Sequence, residues 1–114
     1  MKKNRSALAV LVLLMTTPFA AHAEVDFSKD ILPILSNNCF QCHGPDAAQR
    51  AADLRLDLEE GAFSELPTGE FAIVKGKPDH SALMQRITEA DPDLKMPPAD
   101  SGKSLTEKDI ALLR

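Results

Sequence analysis

The 114-residue sequence has no tryptophan and no tyrosine, and only five phenylalanines. A chain this short and this poor in large aromatics can build only a thin apolar core, so it needs a staple of another kind. A disulfide framework is excluded, because there are two cysteines, Cys39 and Cys42, and they lie three residues apart. A nucleic-acid partner is excluded by charge. Residues 1–23 take three of the thirteen basic side chains and none of the seventeen acidic ones, so the remainder carries ten against seventeen, a formal charge of −7. Such a surface permits steering toward a basic partner, though a merely solvated acidic surface is the preferred explanation. No apolar run is long enough to span a bilayer: the longest, Ala7 to Met15, falls well short. No internal repeat or low-complexity tract is visible.

That short run has a different meaning. Lys2, Lys3 and Arg5 precede it, and Ala21-His22-Ala23 follows as a small-x-small site. Together they read as a secretory signal peptide over residues 1–23, removed after Ala23 to leave a mature domain over 24–114. The protein is then expected in the periplasm or otherwise exported, with no membrane span after cleavage. An uncleaved membrane anchor is the competing reading. Export places both cysteines in an oxidising compartment.

What is present is Cys39-Phe40-Gln41-Cys42-His43, the C-x-x-C-H attachment pattern of a c-type haem. Each thiol can add across one haem vinyl group, and the adjoining histidine presents its imidazole to the iron. A covalent haem also supplies the missing staple, an apolar disc around which a small chain can wrap. Two other chemistries compete: a short-loop redox disulfide between Cys39 and Cys42, and a zinc site from Cys39, Cys42, His43 and His80. The first normally opens a helix after a buried strand, and the second lacks paired ligand spacing in its distal half. His80 is expected to be exposed.

The rest of the chain reads as short elements. Phe27, Ile31, Ile34 and Leu35 recur at helical spacing over 26–38, with Asp26 or Ser28 as cap and Pro33 either in the first turn of a late-starting helix or kinking an early one. Gly44-Pro45 stops any helix past His43. Residues 47–52 are expected as loop or short helix. Leu54-Arg55-Leu56-Asp57 alternates, as a short extended segment that sets two leucines on the haem edge. Arg55 is then placed to reach a haem propionate, although an ordinary surface arginine is favoured. Residues 59–69 read as turns anchored by Phe63, and 71–74 as a buried extended run broken by Gly76-Lys77-Pro78. Asp79 caps a helix to about Thr88 that carries Leu83, Met84 and Ile87 on one face. Leu105 to Ile110 is a helix start, with Thr106 as cap, Asp109 closing a capping box and a Leu105/Ile110 staple. Little helix follows it, so the last helix is expected to be truncated within a longer protein.

Two methionines, Met84 and Met96, remain as distal iron ligands. Met84 lies in the helical stripe, where core packing explains it. Met96 precedes Pro97-Pro98, which disfavour helical backbone and stiffen the loop, so a thioether there can be presented at little ordering cost. Met96 is preferred. With His43 it leaves no open position on the iron, which favours a single-electron carrier over an enzyme. The alternative is a ligand-binding or catalytic haem with Met96 absent or displaced, or a haem module feeding a catalytic domain beyond Arg114.

These residues resemble the planctomycete cytochrome c domain, a branch of the small class I-like c-type cytochromes. The resemblance runs through Cys39-Phe40-Gln41-Cys42-His43-Gly44-Pro45, Leu54-Arg55-Leu56-Asp57, Gly76-Lys77-Pro78 with Ser81, Leu83, Arg86 and Ile87, then Met96-Pro97-Pro98 and Leu105-Thr106 with Ile110. It implies an all-α fold, with N- and C-terminal helices crossing beside one covalent haem c. It also implies a position at the N-terminus of longer exported proteins, with a redox partner protein or a fused domain as the electron-transfer partner.

Overall fold

The computed structural model describes residues 23–114. The signal-peptide reading falls almost wholly on residues outside that range. Among the described residues 38% are helical and there is no sheet, only an isolated antiparallel bridge between Glu65 and Phe71. The helical class expected from the sequence therefore holds, in short pieces tied by turns.

The first piece begins as a wide turn over Phe27–Ile31 and continues as α1, Leu32–Asn38. Asp26 caps it, accepting from Lys29 N, as expected. Pro33 explains the wide turn. It has no N–H to give to the preceding turn, and its ring crowds the carbonyl four residues back. The Leu32 N–H instead reaches Phe27 O, which places Pro33 in the first turn of α1 where no donor is required. Ile34 and Leu35 are buried, whereas Phe27 is 57% exposed and does not share their packing.

Five residues after α1 ends comes His43, and the chain is held there by backbone bonds. Cys42 N and His43 N both donate to Cys39 O, at 3.1 and 2.8 Å. Residues 47–52 form turns rather than a helix. Leu54 and Leu56 then enter the core with Ala62 and Ala72, against which Cys39, Phe40, Leu66, Ile73 and Leu83 pack. The expected run of turns after Glu59 begins instead with a short helix, α2, Glu59–Ala62. Gly61 lets α2 approach: a Cβ there would lie 2.5 Å from Arg55 O and 2.6 Å from Arg55 Cβ. Gly61 is thus a close-approach residue of a helix and not a turn former. Phe63 is half-buried under Lys75 Nζ, 4.1 Å from its ring centroid. Of the run 71–74, Ala72 is buried and Phe71 is exposed.

The helix expected from Asp79 is divided. Pro78–His80 is a single tight turn, and α3 spans Ala82–Ile87 with Ser81, not Asp79, at its cap position. Ser81 is 3% exposed, and its hydroxyl accepts from Val74 N and lies within donating distance of Lys77 O and Val74 O. The buried hydroxyl therefore pins the preceding loop. α4, Glu107–Leu113, has the anticipated capping box: Asp109 N donates to Thr106 Oγ1 and Thr106 N to Asp109 Oδ2.

Gly44 is buried, and a Cβ on it would collide with the Phe40 carbonyl. That carbonyl lies inside the C-x-x-C-H turn and has little freedom to move. Gly44→Ala is expected to lower stability by roughly 1–3 kcal/mol, the usual cost of forcing atoms into packed space. Denaturant midpoints of the two holoproteins measure it, and equal midpoints count against the contact.

Candidate haem-binding cleft

The turn around Cys39 to His43 and the loop around Met96 face one cavity. Its volume is 250 Å³, and Cys39, His43 and Met96 are all in its wall. The remaining wall is mainly aliphatic, from Leu54, Leu56, Leu66, Ala82, Leu83 and Ile87, with Thr68, Glu70 and Arg86 as its polar members. Both leucines of the 54–57 segment line this cleft, as anticipated. Cys42 is exposed and stands outside the lining.

A larger concavity of 620 Å³ contains none of the four residues singled out by sequence. Leu56 and Leu83 line both cavities and form the wall between them. The smaller one is the functional candidate, because only it brings a thiol, an imidazole and a thioether together.

The imidazole is set for one role. His43 Nδ1 lies 3.2 Å from Ala51 O. A carbonyl only accepts, so the ring donates from Nδ1 and keeps the Nε2 lone pair free for a metal. Ala51 is fixed in turn: its N–H donates to Cys42 O at 2.7 Å, and its carbonyl also accepts from Leu54 N. Ala52 and Asp53 turn the chain there with φ of 54° and 51°, a left-handed conformation that costs non-glycine residues energy and persists only where neighbours enforce it. On the other side His43 O accepts from Leu56 N at 2.9 Å. Burial pushes the His43 pKa below its ordinary value, and the Ala51 carbonyl opposes that only in part. The ring is therefore neutral at pH 7, as a ligand must be.

The two methionines separate clearly. Met84 is 3% exposed and faces the larger concavity beside Leu35. On α3 the cleft-facing positions are Ala82, Leu83, Arg86 and Ile87, and Met84 turns away from them. The packing role expected of Met84 agrees with this placement. Met96 is half-buried at the cleft. Its N–H donates to Arg86 O at 2.9 Å, and the loop before it is closed by Leu94 N and Lys95 N donating to Asp91 O.

Arg55 does not face the cleft. Two of its guanidinium nitrogens bond the Asp57 carboxylate, Nε at 2.8 Å and Nη2 at 2.5 Å, and this fork holds the carboxyl below its usual range. Arg55 is half-buried, with its guanidinium committed to Asp57. The arginine that does line the cleft is Arg86, which sequence reasoning cited only as part of a resemblance. Its signal was its position: three and four residues beyond Leu83 and Ala82, on the same helical face. His80 is exposed, and among the described residues no three His, Cys, Asp or Glu side chains converge into a metal shell, so a Cys/His zinc site has no geometric basis.

A family model described as planctomycete cytochrome C matches residues 39–100. That is more than half of the chain. The chain belongs to the planctomycete cytochrome c family. Neither the curated proteins nor the solved structures searched gave a match. The matched span starts at the first cysteine of C-x-x-C-H and includes every residue of the cleft wall. Membership implies haem c as cofactor. The donor set fits that group: a neutral imidazole with Nε2 free, a thioether on the same cleft, and an apolar wall for a porphyrin.

The thiols differ in environment. Burial pushes Cys39 up to about 11, against a lowering by Lys103. Cys42 is exposed. In the apoprotein, alkylation at pH 8 is expected to modify Cys42 first, and the Cys39 rate should climb about tenfold per pH unit toward its pKa. Peptide mass spectrometry over a pH series reads both rates, and equal rates would contradict the half-buried placement of Cys39.

Proposed function

We propose that the protein is an exported, periplasmic electron carrier with one haem c, attached through thioethers to Cys39 and Cys42 and ligated by His43 and Met96. The observation that carries this reading is the meeting of Cys39, His43 and Met96 on one aliphatic cleft, with Met84 buried elsewhere. The haem would supply a one-electron iron couple, held by His43 and Met96, and such a ligand pair would leave no position for substrate. The chain's part is to orient the imidazole through Ala51, present the thioether, and keep water off the ring faces with Leu54, Leu56, Leu83 and Ile87. The fold is then the small class I-like arrangement around its haem. The partner is a redox protein or a fused domain. No described helix is long and apolar enough to cross a membrane.

Protein made in a host with periplasmic haem-attachment machinery should keep its haem through acid–acetone extraction. Haem that extracts freely refutes the covalent site. The ferric protein should show the weak near-red band of methionine ligation. Met96→Ala should remove that band, lower the potential and open the iron to carbon monoxide. Met84→Ala should cost roughly 2–5 kcal/mol of stability as a core truncation and leave the band in place. Wild-type protein that binds carbon monoxide readily would favour a ligand-binding haem over a carrier.

A further inference from the structure

We propose that Arg86 is the positioning residue for the distal thioether, gripping the Met96 loop at two points from α3. This rests on the reading of Met96 as the iron ligand and names what holds it there.

The Met96 thioether sits on a loop joining α3 to α4, and loop position has to come from somewhere. Between Thr88 and Met96 the chain is tied mostly to itself. Glu89 Oε1 accepts from Ala90 N and Asp91 N, Asp91 Oδ1 accepts from Asp93 N, and Asp91 O accepts from Leu94 N and Lys95 N. These bonds make the segment a stiff unit without anchoring it. The two anchors at the α3 end of the loop both belong to Arg86. Its Nη1 donates to Leu94 O at 3.0 Å, and its carbonyl accepts from Met96 N at 2.9 Å. One bond uses the side chain and one the backbone, and they hold positions two residues apart. A rotation of the loop about either bond is therefore blocked by the other. Arg86 is an exposed residue in the cleft-facing row of α3, beside Ile87, which is 5% exposed. Helix α3 thus sets the distance of the thioether from the cleft floor.

The iron–thioether bond is weak, so ligation depends on how little ordering the loop needs. Without the guanidinium bond the α3 end of the loop keeps only the Met96 N–H anchor, and the next tie, Lys103 Nζ on Asn37 O, lies seven residues further on. The thioether should then spend part of its time off the iron.

The test is Arg86→Leu in the holoprotein, which keeps much of the aliphatic stem and offers no donor or new iron ligand. The haem should remain covalently attached. The near-red band should weaken or vanish, the potential should fall, and carbon monoxide binding to the ferrous form should rise by roughly tenfold or more, as expected for loss of a charge-assisted hydrogen bond. An unchanged band, potential and carbon monoxide affinity overturns the proposal. If the variant does not mature, amide exchange of the wild-type holoprotein decides. A Met96 amide as slow as the amides of α3 supports the grip, and one exchanging at exposed-loop rates overturns it. Met96→Ala separates the two readings. If it leaves the wild-type spectrum unchanged, the ligand assignment fails and this inference with it. If it removes the band while Arg86→Leu does not, only the role of Arg86 fails.

Discussion

The hydrogen bond from His43 Nδ1 to the Ala51 carbonyl is the contact on which the site depends. It selects the tautomer, fixes the ring plane and leaves the Nε2 lone pair free. An imidazole attached only through its own side chain would rotate freely about two torsions. Here the acceptor is a backbone atom, held by Ala51 N on Cys42 O and by the left-handed turn at Ala52 and Asp53. Arg50 braces the same region, donating to Gly44 O and Pro45 O at 3.1 Å each. The chain thus folds back on the C-x-x-C-H turn within a few residues, and the proximal side of the cleft is built almost entirely from local contacts.

The distal side is built from distant ones. Met96 stands 53 residues beyond His43 and reaches the cleft because α3 lies between them. The loop is also tied from its far end: Lys103 Nζ donates to Asn37 O at 2.6 Å, at the C-terminal end of α1 just before the first cysteine. A cation at a helix C-terminus is favourably placed against the helix dipole. The segment from Leu94 to Lys103 is therefore held to α3 at one end and to α1 at the other, and Met96 is the residue of it that lines the cleft.

Two glycines make the compact proximal side possible. Gly44 and Gly61 each stand where a Cβ would strike backbone, of Phe40 and Arg55 respectively. Neither needs an unusual φ. Their value is closeness: Gly61 lets α2 sit against the 54–57 segment, and Gly44 lets the chain after His43 pass the Phe40 carbonyl. The Arg55–Asp57 fork keeps this segment's charges paired with each other and turned from the cleft, so that its leucines alone face inward.

Much of this was legible in the residues. Cys39, Cys42 and His43 carry their chemistry in their spacing. The capping box at Thr106 and Asp109 and the cap at Asp26 are local, so a short window contains all the atoms that decide them. Met96 could be preferred over Met84 because Pro97 argues against a helix and a stripe of apolar neighbours argues for packing. Other features needed the fold. Whether Arg55 or Arg86 faces the cleft depends on which way two separate segments turn, and Arg55 had a near neighbour, Asp57, that captured it. The start of α3 moved to Ser81 because its hydroxyl is drawn to Val74 and Lys77, partners a local reading of caps does not weigh. The family pattern was thus set by the sequence, through motifs that span a few residues each. The orientation of His43 by a turn eight residues on, and the grip of α3 on the Met96 loop, were decided only by tertiary structure, because each depends on backbone carbonyls that every residue possesses and no sequence distinguishes.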